Sequence, residues 1–184
     1  MNNKERYSKI EPIHLFIAIR RKKDQDESKK DQLQELCFRQ IIRDRIVDYE
    51  ILRKKIEPYE GVWRIYKTVN GRRLEPARKF LMKALIEEPE RHEHKIDSLW
   101  KTALLQKGSR YEKKFLIDID RKMPKGHVKS LMEELGIEIE QIRKTPNGWH
   151  VVTSELDSRD FQQYESIEIK RDGLIFIEKI DNAP

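Results

Sequence analysis

The run Phe115-Leu116-Ile117-Asp118-Ile119-Asp120 sets two carboxylates two residues apart at the end of an apolar, β-branched stretch. Side chains alternate along a strand, so Asp118 and Asp120 share one face. Carboxylates side by side repel and need compensation. A divalent cation held by hard oxygens, Mg2+ or Mn2+, supplies it. The bland alternative is that the pair caps the next helix or faces solvent, so partners elsewhere in the chain must decide.

Two further segments offer such partners. Asn147-Gly148-Trp149-His150 reads as a tight turn that presents an imidazole at a strand mouth, its glycine leaving room for a phosphate to approach the backbone. Trp149 then points to the opposite face, where packing under the sheet outweighs base stacking. Ile167-Glu168 carries a third acid on a later apolar stretch. Arg143, Lys144 and Lys170 lie near the same mouth as phosphate or template contacts, with solvated basic side chains as the alternative.

The elements that must position these groups follow from the C-terminal third. Phe115 to Ile119 is a strand; Pro124 and Gly126 open a helix that runs to Leu135 and is capped by Gly136. Ile137 to Arg143 alternates as a strand, Pro146-Asn147-Gly148 turns, and Trp149 to Ser154 returns as its hairpin partner. Asp157 to Tyr164 predicts a short helix, and Ser166 to Lys170 and Leu174 to Ile180 flank Asp172-Gly173, a two-residue hairpin sequence. The order strand, helix, strand, strand, helix, strand, with one strand appended, is the split βαβ, ferredoxin-like order. In such a sheet the first strand lies antiparallel between the third and the fourth, which brings Asp118, Asp120, His150 and Glu168 to one end.

The preceding residues read as an αβ module. Ile13 to Ile19 is a buried strand, Arg20 to Asp31 a solvated charged loop that could touch phosphates, Arg39 to Val47 a strand, and Asp48 or Tyr49 to Ile56 a helix. Val62 to Val69 is an aromatic, β-branched strand; Arg72 to Ile86 and His94 to Leu105 are helices. The expected architecture is an α+β (α/β) chain: residues 1–112 an N-terminal αβ module with a helical connector, and 113–184 a ferredoxin/RRM-like βαββαβ core packed with it as one unit. Trp63 and Trp100 read as core residues of the first part and Cys37 as a buried structural thiol.

The core resembles the catalytic core of the archaeo-eukaryotic primase superfamily, the primase-polymerase group included. Three short motifs carry the likeness: Phe115 to Asp120 matches its hhhDhD strand, Gly148-Trp149-His150 its small-x-His strand, and Ile167-Glu168 its closing hydrophobic-acid pair. The likeness covers mainly residues 113–180. The chain also resembles small phage and mobile-element proteins with an Arg-x-Tyr-x-x-Val-Asn strand, here Arg64 to Asn70. The resemblance implies metal-dependent nucleotidyl transfer, with Asp118, Asp120 and Glu168 holding Mg2+ or Mn2+ and His150 contacting the nucleotide's phosphates. Implied partners are DNA or RNA, nucleoside triphosphates and a helicase or other replication protein, in the cytoplasm of a bacterial or phage-infected cell.

Composition agrees with a polyanionic partner. Thirty-nine Lys and Arg against thirty-three Asp and Glu leave +6 over 184 residues, with a pI near 9.3. The single cysteine excludes an internal disulfide and a multi-cysteine zinc module. No apolar run approaches the roughly 20 residues that span a bilayer, and Met1 to Ile10 is too polar for a signal peptide, so no membrane association is expected. His92-Glu93-His94 and Gly126-His127 read as surface, without further ligands at zinc spacing. Two other functions remain in play: a metal-dependent nuclease, which the same acids would suit, and an RRM-like binding protein without catalysis. Acids on a central strand disfavour the latter, since carboxylates repel a phosphate backbone unless a cation intervenes.

Overall fold

The computed structural model describes residues 12–43, 50–154, 156, 161 and 164–182. Its elements in chain order are β1 (Ile13–Arg20), β2 (Leu36–Arg43), α1 (Glu50–Ile56), β3 (Gly61–Thr68), α2 (Leu74–Glu87), α3 (Ile96–Leu105), β4 (Phe115–Ile119), α4 (Lys125–Glu134), β5 (Gln141–Lys144), β6 (Trp149–Thr153), β7 (Ile167–Lys170) and β8 (Leu174–Asn182). The fold is mixed α+β with two antiparallel sheets. Among the described residues no helix is long and apolar enough to cross a membrane.

Two compact units, both discontinuous in sequence, divide the chain. The smaller takes the described residues of 1–15, 41–48 and 70–112; the larger takes those of 16–40, 49–69 and 113–184. In the smaller unit Ala77 of α2 packs on Ala103 and Leu104 of α3, with Ile13 buried beside them and Leu74, Leu81 and Trp100 at the margin. The helix expected from Arg72 starts two residues later because Arg72 exchanges both backbone hydrogen bonds with Ile13, at 2.7 and 3.0 Å.

The larger unit holds both sheets, ordered β2-β1-β3-β8 and β5-β6-β4-β7. In the second sheet β4 is central and antiparallel to both β6 and β7. Alternation gives each face of that sheet its own core. Ile117, Ile119, Trp149 and Val151 face Val128 and Met132 of α4, and the Trp149 indole N–H donates to the Met123 carbonyl at 2.9 Å. Leu116 and Val152 face the other way, onto Val69 and Ile175. Trp149 therefore packs beneath the sheet, as its alternation with His150 predicts.

Several expectations are corrected. The Asp172-Gly173 turn joins no hairpin: β7 pairs with β4, while β8 crosses to the first sheet and pairs along β3 from Thr68↔Leu174 to Gly61↔Asn182. The full length of β3 offers β8 more ladder than four-residue β7 can. The strand expected from Ile137 begins at Gln141, because Gly136 takes a left-handed φ of 66° and the Ile137 amide caps α4 by donating to Met132 at 2.8 Å.

The charged tract after β1 is anchored rather than solvated throughout. Arg20 is buried, donating to the carbonyls of Gln34 at 3.0 Å and Glu60 at 2.6 Å, with its guanidinium 5.4 Å from the Trp63 ring centre. Buried Gln25 exchanges hydrogen bonds with the Val62 backbone, its oxygen accepting at 2.7 Å and its amide donating at 2.9 Å. Cys37, expected to be buried, is exposed on β2, an edge strand. β2 itself starts at Leu36, three residues before the strand expected from Arg39. Residues 44–47 and most of the helix expected over 157–164 lie outside the described residues.

Candidate functional site

Register assembles the site. Asp118 lies opposite His150 of β6 on one side and opposite Glu168 of β7 on the other. Residues directly opposed across a ladder share a face, so all three project from the same side of the sheet. Period two adds Lys170 on β7. It also adds Asp120, whose amide extends the ladder by donating to the Ser166 carbonyl at 2.9 Å. This is the face that begins with the apolar pair Leu116 and Val152, so chemistry starts where the packing between sheets stops.

The side chains interlock. Asp118, its side chain only 14% exposed, receives the Lys170 ammonium on Oδ2 at 2.7 Å and faces His150 Nε2 with Oδ1 at 3.2 Å. Lys170 also reaches Glu168, at 2.9 Å. His150 is buried, and its Nδ1 accepts the backbone N–H of Phe176 at 2.9 Å. An accepting Nδ1 carries no proton, so the ring's proton lies on Nε2 and points at Asp118. Burial pushes the Asp118 carboxyl up, but the hydrogen bonds from His150 and Lys170, with the charge of the Lys170 ammonium, outweigh it and hold the group at about 2. Burial likewise pushes the Lys170 ammonium down, and its bonds to Asp118 and Glu168 prevail, leaving it raised.

A pocket of about 480 Å3 opens over this face. Asp118, Asp120, His150 and Lys170 line one side. Arg21, Lys23, Arg64 and Tyr66, from the first sheet and the tract after β1, line another. Arg64 and Arg21 are both held by Asp24, itself almost wholly buried, Arg21 Nε lying 2.8 Å from its carboxylate. A wall of carboxylates thus meets a wall of oriented cations, an arrangement suited to a ligand carrying phosphates.

Of the residues expected at the site, Asp118, Asp120, His150 and Lys170 reach the pocket. Glu168 does not line it; its carboxylate is 67% exposed and joins the cluster through Lys170. Arg143 lies opposite His150 and shares its face, exposed one strand further out; Lys144 lies opposite Trp149 and so belongs to the other face. Gly148 is required by packing at this point: a Cβ there would lie 1.8 Å from the Ile119 carbonyl oxygen and 2.9 Å from the Arg121 nitrogen. The turn is pressed against the end of β4. Arg21, Lys23, Arg64 and Tyr66 were not expected as a wall of this pocket, although a charged tract able to touch phosphates and an Arg-x-Tyr strand both marked them.

Hard carboxylate oxygens suit Mg2+ or Mn2+ in kind. Among the described residues no group of three His, Cys, Asp or Glu side chains stands ready to hold a metal ion. A cation does stand between two of the expected ligands: the Lys170 ammonium bridges Asp118 and Glu168. Two of the three expected ligands, Asp118 and Glu168, therefore already share a cation, the Lys170 ammonium. His92, His94 and His127 lie outside this cluster, and His94 and His127 are exposed. No family model matches the chain, and no curated protein and no solved structure matches it.

Proposed function

We propose that the chain is a metal-dependent nucleotidyltransferase of the primase-polymerase kind, acting on DNA or RNA with nucleoside triphosphates. The observation that carries the reading is the placement of Asp118 between His150 and Glu168, with Asp120 on the same face of a pocket whose other wall is basic. The strand order β5-β6-β4-β7 around α4 supports taking residues 113–184 as a ferredoxin/RRM-like catalytic core. A cytoplasmic setting and a replication partner such as a helicase go with this reading.

In the proposed reaction Asp118, Asp120 and Glu168 would hold Mg2+ or Mn2+. Bound there, the ion would favour attack by a 3′-hydroxyl and neutralise charge developing at phosphorus. His150, oriented by the Phe176 amide, directs its Nε2–H at Asp118 on the pocket's edge. Arg21, Lys23 and Arg64 face the phosphates, with Arg64 and Arg21 oriented beforehand by Asp24. Positioning and field of this type account for most catalysis of phosphoryl transfer.

The test is incorporation of labelled nucleotide on a single-stranded template with Mn2+, comparing the wild-type chain with an Asp118→Ala, Asp120→Ala double variant. Incorporation that the variant loses is the expected result. Shortening of the strand instead, lost in the same variant, would identify a nuclease. Template binding that is indifferent to both substitutions would leave a core that binds without catalysing.

A further inference from the structure

We propose that Lys170 is a resident counter-cation of the acidic cluster, which a divalent ion must displace and which thereby sets the metal affinity of the site. The inference rests on the metal-dependent reading above and assigns a positioning residue within it.

Three observations lead there. Asp118 presents a mostly buried carboxylate, and such a group needs a full opposite charge. His150 supplies a hydrogen bond but, accepting at Nδ1, has no second N–H and no full charge in this arrangement. Of the cations across the pocket, both arginines, Arg21 and Arg64, are held by Asp24. Lys170 alone among the described contacts of Asp118 brings a whole positive charge, at 2.7 Å, and it bridges to Glu168 at 2.9 Å.

The ammonium therefore occupies the position between two expected metal ligands. A divalent ion binding Asp118 and Glu168 cannot share those oxygens with it at the same distance. The side chain has a way out: β7 is the edge strand of its sheet, and Lys170 is 35% exposed on a flexible four-carbon stem. Once displaced it remains beside the pocket, where an anionic ligand would hold it.

The experiment is a titration with Mn2+, followed by electron paramagnetic resonance of the free ion, on the wild-type chain, Lys170→Met and Lys170→Arg. Removing one positive charge within a few ångströms of the ion should tighten binding by about tenfold or more. Lys170→Arg should bind no more tightly than wild type. Lys170→Gln, which keeps a polar end, replaces Lys170→Met if the latter does not fold. Equal or weaker binding by the uncharged variants beside measurable wild-type binding would overturn the role of Lys170 and leave the metal reading standing. Mn2+ bound by none of the chains would overturn that reading and the inference with it.

Discussion

His150 takes its orientation from the opposite sheet: the Phe176 amide on β8 donates to His150 Nδ1 at 2.9 Å, and Nε2 is thereby turned to Asp118 at 3.2 Å. Truncation to His150→Ala would strand that buried amide and cost about 2–3 kcal/mol. His150→Asn places an oxygen close to the position of Nδ1 and should recover at least half of the loss, without restoring the Asp118 contact. Urea unfolding of the three chains tests this; Asn as destabilising as Ala would show that the Phe176 bond contributes nothing.

Asp118 gives the metal-free chain a pH dependence of definite sign. Its carboxyl titrates at about 2 when folded, below the ordinary 3.8, so the unfolded chain binds more protons between those values. The associated stability is fully present above the ordinary value and is lost as pH falls through the folded one. Allowing for the exposed part of Lys170, it amounts to roughly 1–2 kcal/mol. In EDTA, the stability gap between wild type and Asp118→Asn should close by about two thirds of that amount from pH 6 to pH 2.5, and a gap independent of pH would refute the ion pair's contribution.

Gly148 and Gly126 should respond oppositely to alanine. At Gly148 the added methyl meets backbone, which cannot move aside without breaking the end of β4. Gly148→Ala should cost more than about 3 kcal/mol or prevent folding. At Gly126, in the first turn of α4, nothing lies within 4 Å of the added carbon, and helix propensity favours alanine by about 0.5–1 kcal/mol. Thermal melts of the two variants should move in opposite directions.

What the residues disclosed beforehand was local and periodic. Asp118, Asp120, His150 and Glu168 could be brought to one end because strand alternation and the order of elements determine neighbours, and both can be read from short windows. The opposite wall could not. Arg64 and Tyr66 reach the pocket only because β8 leaves the sheet of β7 and pairs with β3, a long-range choice that Asp172-Gly173, locally a hairpin turn, conceals. The tract after β1 misled for a related reason: its charge density suggested solvent, whereas Arg20, Asp24 and Gln25 each have a specific partner far along the chain. Cys37 shows the limit of residue averages, since an edge strand exposes whatever alternation assigns to its outer face.

Asp24 offers the sharpest test of the basic wall. Its side chain is 4% exposed and holds Arg64, which is 15% exposed, together with Arg21 at 27%. Arg64 Nε is buried without a hydrogen-bond partner among the described residues, so the carboxylate on its other nitrogen carries most of its compensation. Asp24→Asn keeps the shape and removes the charge, leaving a largely buried guanidinium unmatched, at a cost of about 2–4 kcal/mol. Replacing both partners, as Asp24→Asn with Arg64→Met, removes the unmatched charge as well and should cost less than Asp24→Asn alone. A double-mutant cycle in urea measures the difference. Additive losses would mean that the pair is solvated and that Arg64 is free to turn; a strongly non-additive result would establish a guanidinium fixed before any ligand arrives, which is the property a phosphate-facing wall requires.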